Sequence, residues 1–302
     1  MLQRNKPLIA LLAAPETSAS VLYGLYDVLV SVGAVYLDMI TGSPGQELLN
    51  VQIVSADGKP FGCVANVPVA PHASIDEVDR TDAVIVCDMY AAIYDDPTGR
   101  YPAEIDWLRR LHAGGALISS VCSGSLLLAE AGLLDGHKAT AHWAYRDMFK
   151  RYYPKVNFKS ESVLCLAAED QGVVTAGGVS AWHDLAVYLI ARYCGQSQAI
   201  ETAKVFLISG HSEGQSPYAV MTRPVESSDG PILDCQQWIA DNYAQPNPVE
   251  RMAGYSGLNG RTFARRFKTA TGYAPLDYVQ ALRTEEAKQM LESGDAGIEE
   301  IA

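Results

Sequence analysis

This sequence is poor in paired cysteines, ligand-spaced histidines, long apolar runs and positive charge, and each shortage removes a class of function. Cys63, Cys87, Cys122, Cys165, Cys194 and Cys235 are scattered, with no Cys-x-x-Cys pair. That excludes a structural zinc site built on such pairs and argues against a disulfide framework. His72, His112, His137, His183 and His211 stand without ligand spacing, so no metal site is expected and no cofactor is implied. No apolar run is long enough to span a bilayer. The opening MLQRNKPLIALLAA has charge followed by an apolar run, but residues 8–13 are too few for a leader. They read as a first buried strand, and the expected location is the cytoplasm. Lys and Arg number 23 against 35 Asp and Glu, a net charge of −12. The balance is 16 basic to 25 acidic over residues 1–230 and 7 to 10 thereafter. Neither part is basic, so contact with nucleic acid would rest on a local ridge, while the acidic bulk discourages indiscriminate attachment to phosphate.

What is present implies two domains, since 302 residues can bury one large core and one small one. Residues 7–13, 51–56, 83–87, 116–121, 162–168 and 172–176 read as strands. Helices are expected at 21–32, 102–112, from 125 to 131, at 143–152 and at 182–193. Strand–helix alternation of this kind implies an α/β, doubly wound and mostly parallel sheet. A β-rich excursion with Gly62, Pro68 and Pro71 interrupts it. Gly, Ser and Pro gather around 209–231, which gives a first domain over 1–210, a linker over 211–230 and a small all-α domain over 231–302.

Two stretches carry chemistry. The first is Ser120-Val121-Cys122-Ser123-Gly124, where a strand runs directly into a helix. A nucleophile on such a turn sits as in a nucleophile elbow, with small residues two before and two after letting the chains approach. The helix N-terminus is expected to lower the Cys122 thiol pKa, and His142 could serve as its base. The same spacing is also met by a small buried cysteine and an ordinary histidine. Asp88 and Tyr90 follow a strand's C-terminal end, where doubly wound folds bind ligands, and an ordinary surface loop fits them equally. Trp143 and Trp182 fit either that crevice or the core.

The second stretch is SGLNGRTFARRFKTATGYAPLDY, residues 256–278. As a helix it is capped by Asn259, with Phe263, Phe267, Ala264 and Ala270 on an apolar face. Arg261, Arg265, Arg266 and Lys268 form a cationic ridge, and no acidic residue interrupts 259–270. The pattern suits insertion into a DNA groove; a solvated basic face has the same pattern. Asn247 followed by Pro248 marks the start of a short preceding helix over 249–255, and Gly257 supplies the turn of a helix-turn-helix. Within that frame Arg261 and Arg265 are expected at base edges and Arg266 and Lys268 at phosphates, with Thr262 and Asn259 at backbone oxygens.

Residues Asn259, Arg261-Thr262-Phe263, Arg265-Arg266-Phe267-Lys268, Thr271-Gly272, Pro275 and Leu291 resemble the AraC/XylS family of transcription regulators over about the last seventy positions. The resemblance implies DNA as partner and two helix-turn-helix units joined by a long helix, here 276–291. The second unit should begin near Asp295, so the chain is expected to be cut short within it. Residues 7 to about 210 resemble the PfpI-type, class I glutamine-amidotransferase-like superfamily, whose fold is flavodoxin-like. The residues that carry this likeness are Val121-Cys122-Ser123-Gly124, Ala131-Gly132-Leu133-Leu134-Asp135-Gly136, Ala139-Thr140, His142-Trp143, Thr175-Ala176-Gly177-Gly178, Asp184 and Gly214-Gln215-Ser216-Pro217-Tyr218. In enzymes of that superfamily an elbow Cys, a His and an acid from the first loop act together, and a Gly-Gly after the third strand helps to bind the oxyanion. This chain departs from them twice. Val21 stands where the acid is expected, with Glu16 earlier in the loop as a substitute, and Cys87-Asp88-Met89 replaces Pro-Gly-Gly. The resemblance therefore implies a non-catalytic regulator that senses a small metabolite or redox state around Cys122, His142, Glu16, Asp88 and Tyr90, and acts as a homodimer. The alternative is a PfpI-type hydrolase, hydratase or lyase fused to a DNA-binding module.

Overall fold

A computed structural model describes residues 6–167, 172–211, 214–215, 229–293 and 297–301. The chain divides into two compact units, residues 1–219 and 220–302.

The first unit opens with β1 (Leu8–Leu12), α1 (Ala19–Val30), α2 (Val35–Thr41) and β2 (Asn50–Ser55). The excursion holds three two-residue strands, β3 (Phe61–Gly62), β4 (Pro68–Val69) and β5 (Ala73–Ser74), and leads to β6 (Ala83–Val86). Next come α3 (Pro102–Ala113), β7 (Leu117–Val121), α4 (Ser125–Glu130), β8 (Lys138–Ala139), α5 (Arg146–Tyr152), β9 (Asn157–Phe158) and β10 (Leu164–Leu166). β11 (Val173–Ala176), α6 (Trp182–Cys194) and α7 (Gln196–Phe206) close the unit. The main sheet has the order β10-β11-β7-β6-β1-β2-β5. All of its pairings are parallel except β10 with β11.

The sequence explains this order. The apolar strings IALL and AVIV have every side chain buried, as strands covered on both faces must. On α1, Leu22, Leu25 and Leu29 recur at helical spacing and are fully buried, while Asp27 faces out. Gly24 lets α6 approach: a Cβ there would lie 2.6 Å from Trp182 Cζ2. That contact puts Trp182 to packing use. β1 pairs with β2 on one side and β6 on the other, so the order reverses beside it. The loops after β1 and β6 flank the resulting crevice at the carboxyl ends of the strands. Among the described residues no single helix is long and apolar enough to cross a membrane.

Several expectations shift by a residue or two, and three differ in kind. Residues 143–152 begin as a single 3-10 turn, Trp143–Tyr145, before α5. α2 and α7 were not legible in the sequence, because one is apolar yet lacks any buried residue and the other buries only Ala199 and Thr202. Gln215, expected in a linker, is buried within the first unit. Residues 212–213 and 216–228 of that linker, and residue 168 of an expected strand, lie outside the described residues.

The second unit comprises α8 (Gly230–Asn242), α9 (Pro248–Tyr255), α10 (Gly260–Thr271), α11 (Pro275–Ser293) and α12 (Ile298–Ile301). Its core unites Ile232, Cys235, Ile239, Met252, Phe263, Phe267, Tyr278, Val279 and Leu282. Phe267 packs edge-on to Tyr278 with centroids 5.1 Å apart, a favoured aromatic geometry. Gly257 turns the chain between α9 and α10 at φ +67°, and Gly272 ends α10 at φ +79°. Asn247 does not cap α9: it takes φ +52° and its side chain makes no cap bond, leaving Pro248 to start the helix. Ala264 is exposed, so the apolar face of α10 is narrower than its spacing suggested.

Candidate functional site

In the first unit, β7 delivers Cys122 at the crevice. Cys122 takes φ +54°, a conformation that non-glycine residues adopt at a cost of order 1–3 kcal/mol. The surroundings hold it there. Gly124 must be glycine, since a Cβ would lie 2.6 Å from both Val86 O and Cys87 O. Ser120 Oγ and Ser125 Oγ meet at 2.8 Å, and Ser125 Oγ donates to Thr140 O at 2.8 Å, tying the elbow to the strand end before His142. The strained elbow expected from the small residues is present.

Its electrostatics run against the expectation. Burial, reinforced by the Asp88 charge, pushes the Cys122 thiol up to about 12, although the amides of Ser123 and His142 and the Ser123 hydroxyl pull the other way. The first turn after Cys122 is a single 3-10 turn, and the partial charge of a helix end is outweighed by desolvation at a site only 5% exposed. His142 lies beside Cys122 through its backbone, and its ring serves elsewhere. Nδ1 accepts from Ala144 N at 3.2 Å, capping the turn that follows. A neutral ring with Nδ1 accepting carries its proton on Nε2, so neither nitrogen is left as a base for the thiol. The ring packs against Trp143 with centroids 4.9 Å apart and planes tilted by 37°, and burial lowers its pKa.

The loop after β6 is tied to β1, to the loop that follows β1 and to the elbow. Its amides Cys87 N, Met89 N and Tyr90 N donate to Leu12 O at 3.1 Å, Ser123 Oγ at 3.0 Å and Glu16 O at 3.1 Å. None of these three is free to receive an oxyanion. Asp88 is buried and accepts from Ser18 N at 3.2 Å and Ser18 Oγ at 2.5 Å, while burial raises its pKa. Val21 is wholly buried in the core. Glu16 Oε1 lies 3.5 Å from Arg100 Nη2, and its charge helps to raise the pKa values of Tyr101 and Glu104. Tyr90 stands exposed at the rim.

Sequence reasoning missed two residues here. Gln215 Nε2 donates to Ala141 O at 2.9 Å, Ser162 O at 2.8 Å and Thr140 Oγ1 at 3.2 Å, and its Oε1 accepts from Gly178 N at 2.9 Å. His211 Nδ1 lies 2.6 Å from Asp184 Oδ2, and Ser180 Oγ lies 3.4 Å from His211 Nε2. Their signal was the match of Asp184 and Gly214-Gln215 to one family pattern, which the linker reading of this segment overlooked.

In the second unit, Asn259 Oδ1 accepts from Thr262 N at 3.0 Å and caps α10 as its position implied. That bond uses the Thr262 amide and the Asn259 oxygen within the helix, and involves neither the Thr262 hydroxyl nor the Asn259 side-chain N–H groups. Arg261, Arg265 and Lys268 project from α10 as exposed side chains. Arg266 differs, donating through Nε and Nη2 to Asp229 Oδ2 and Oδ1 at 2.8 and 2.6 Å. This fork holds Asp229 below the usual carboxylate range and removes Arg266 from the expected phosphate ridge. Of the four α10 cations, only Arg266 is ion-paired among the described residues.

With this geometry in place, comparison with known proteins separates the two parts of the chain. The model of the DJ-1/PfpI family matches residues 9–192, and that of a helix-turn-helix domain matches 252–302. The HTH-type transcriptional regulator CdhR of Pseudomonas aeruginosa is 26% identical over 258 residues, covering 85% of this chain and 74% of its own. Isonitrile hydratase of Pseudomonas putida is 27% identical over 194 residues, 63% of this chain and 74% of its own. The crystal structure of Drosophila melanogaster DJ-1beta superposes with a TM-score of 0.54 at 19% identity, covering 68% of this chain and all of its own. An elbow cysteine on a doubly wound sheet, matched by the family model over more than half the sequence, places the chain in the DJ-1/PfpI family, with a helix-turn-helix domain following.

Proposed function

We propose that this protein is a DNA-binding transcriptional regulator whose first unit responds to a small metabolite or to redox state without turning it over. The observation that carries the DNA-binding half is the exposed row of Arg261, Arg265 and Lys268 on a capped helix whose opposite face, Phe263 and Phe267, is locked into a core. A helix so anchored presents cations in fixed register, as a recognition helix must. Curated relatives named as transcriptional regulators, aligned over most of the chain, support the reading. Arg261 and Arg265 are assigned to base edges and Lys268 to phosphate. The protein acts in the cytoplasm and as a homodimer, since paired half-sites suit two-fold proteins.

For the first unit, the raised Cys122 thiol, the occupied His142 ring and the engaged loop amides favour a binding site over a catalytic one. A missing oxyanion donor alone costs about 3–4 kcal/mol of barrier. The surfaces around Cys122, His142, Glu16, Asp88 and Tyr90 are the effector site under this reading. The test of DNA recognition starts with duplexes selected by the wild-type protein from a randomised pool. Arg265→Ala should weaken the selected duplex by about 1–3 kcal/mol and relax specificity at one position. Lys268→Ala should weaken all duplexes alike and flatten the salt dependence by about one unit. Unchanged affinity and specificity in Arg265→Ala would remove the recognition helix from the scheme.

A further inference from the structure

The peptide group joining Ala141 to His142 has two partners. Its N–H belongs to His142, one of the backbone groups that pull the Cys122 thiol pKa down. Its C=O accepts from Gln215 Nε2 at 2.9 Å. One rigid, planar unit thus separates the elbow cysteine from the last described part of the first unit. Gln215 also binds Gly178 N through Oε1, and Gly178 is the residue against which the His142 ring lies: a Cβ there would sit 3.5 Å from His142 Cδ2. Gln215 therefore bonds both the residue that precedes His142 and the glycine beside its ring. Further bonds to Thr140 Oγ1 and Ser162 O, and the Gln215 N to Glu161 O bond at 2.9 Å, satisfy the rest of the residue. Four residues earlier, His211 is held by Asp184 through backbone and ring at 3.1 and 2.6 Å. Beyond Gln215 the chain continues to Asp229 and the helix-turn-helix unit.

We propose that Gln215 couples the Cys122–His142 site to the end of the described first unit at His211, Gly214 and Gln215, so that a small molecule displacing the Ala141–His142 peptide releases these residues from their partners. This rests on the effector-site reading above and names its transmitting residue. A buried network of this kind holds together or opens together, because each lost partner leaves another polar group unsatisfied. Coupling is also reciprocal: freeing these residues must loosen the site as much as filling the site loosens them.

The glycines supply selective perturbations. A Cβ on Gly177 would lie 2.4 Å from Gln215 Nε2 and 2.6 Å from its Cδ, so Gly177→Ala must evict the amide. At Gly178 the added Cβ meets Gln215 and His142 at 3.5 Å, an ordinary contact, and Gly178→Ala is the matched control. In the full chain, Gln215→Ala and Gly177→Ala should each raise hydrogen exchange of the amides of residues 211, 214 and 215 at least tenfold. Each should also raise alkylation of Cys122 by iodoacetamide, read peptide by peptide, at least tenfold. Gly178→Ala should leave both near wild type, and Leu29→Ala, a remote core truncation, should not raise the two together. Should a variant fail to fold, the wild-type chain in low urea decides the matter: the two signals must share one opening free energy. Fast exchange with unchanged Cys122 labelling, or separate opening transitions, would overturn the coupling while leaving DNA recognition untouched.

Discussion

Cys122 should be a slow nucleophile. With its thiol at about 12, roughly one molecule in 10⁴ carries a thiolate at pH 8, against about a quarter for a free thiol of pKa about 8.5. The deficit is roughly 2,000-fold. Greater basicity makes each thiolate more reactive by about 0.4–0.5 logarithmic units per pKa unit, which restores about 40-fold. The expected rate is thus about 50-fold below that of free cysteine, before any steric hindrance. Peptide-resolved alkylation from pH 7 to 11 measures it, and the rate should still be climbing at pH 10. Asp88→Asn removes the second cause of the shift and leaves burial, the first, so labelling should quicken without reaching the free-thiol rate. The folded pKa lies above the unfolded one, so the corresponding stability is complete below the ordinary thiol pKa. It declines as pH rises from there towards about 12. A labelling plateau below pH 8 would refute this. It would mean that the Ser123 and His142 amides outweigh desolvation, that thiolate is the resting form, and that the enzyme reading must be restored.

Other outcomes follow from the same contacts. Asn259→Ala loses the bond to Thr262 N and should cost the second unit about 1 kcal/mol, read as a lower melting temperature. Phe267→Ala empties a fully buried position and should cost about 3–5 kcal/mol, enough to unfold that unit in a urea titration. Gly124→Ala drives a Cβ against two backbone oxygens and should destabilise the first unit by about 1–3 kcal/mol in the same assay. Asp229→Asn weakens the fork on Arg266 and frees a cation on α10, so the salt dependence of DNA binding should steepen by about one unit. Because Asp229 is held below its unfolded pKa, the ion pair should outlast an ordinary carboxylate as pH falls and fail only through the lowered value, which carboxyl NMR can follow.

The strands survived because IALL and AVIV are apolar throughout, and only a sheet covered on both faces buries such strings. The elbow was legible because Gly124 answers a backbone constraint that any side chain would violate. The Asn259 cap and the Gly257 turn were legible for a related reason, since each is satisfied by neighbouring backbone, whereas the Phe263–Phe267 stripe was legible from its helical spacing alone and joins a core that reaches back to Ile232. α7 was missed because tertiary contacts with α6, rather than its own pattern, hold it in place. The linker was overextended because glycine, serine and proline mark irregular backbone, whether it lies in solvent or in a core.

The sequence by itself determined the sheet, the elbow, the capped basic helix and the order of the two units, since these follow from local periodicity, backbone sterics and motif spacing. Only the tertiary structure decided what the charged and polar groups do. It sets Asp229 against Arg266, which turns an expected phosphate contact into an ion pair. It buries Cys122 beside Asp88, which reverses the expected direction of the thiol shift. It brings Gln215 to a peptide more than seventy positions earlier in the chain. Electrostatics and buried hydrogen bonding depend on distance and desolvation, and residues far apart in the chain acquire both only when the fold closes.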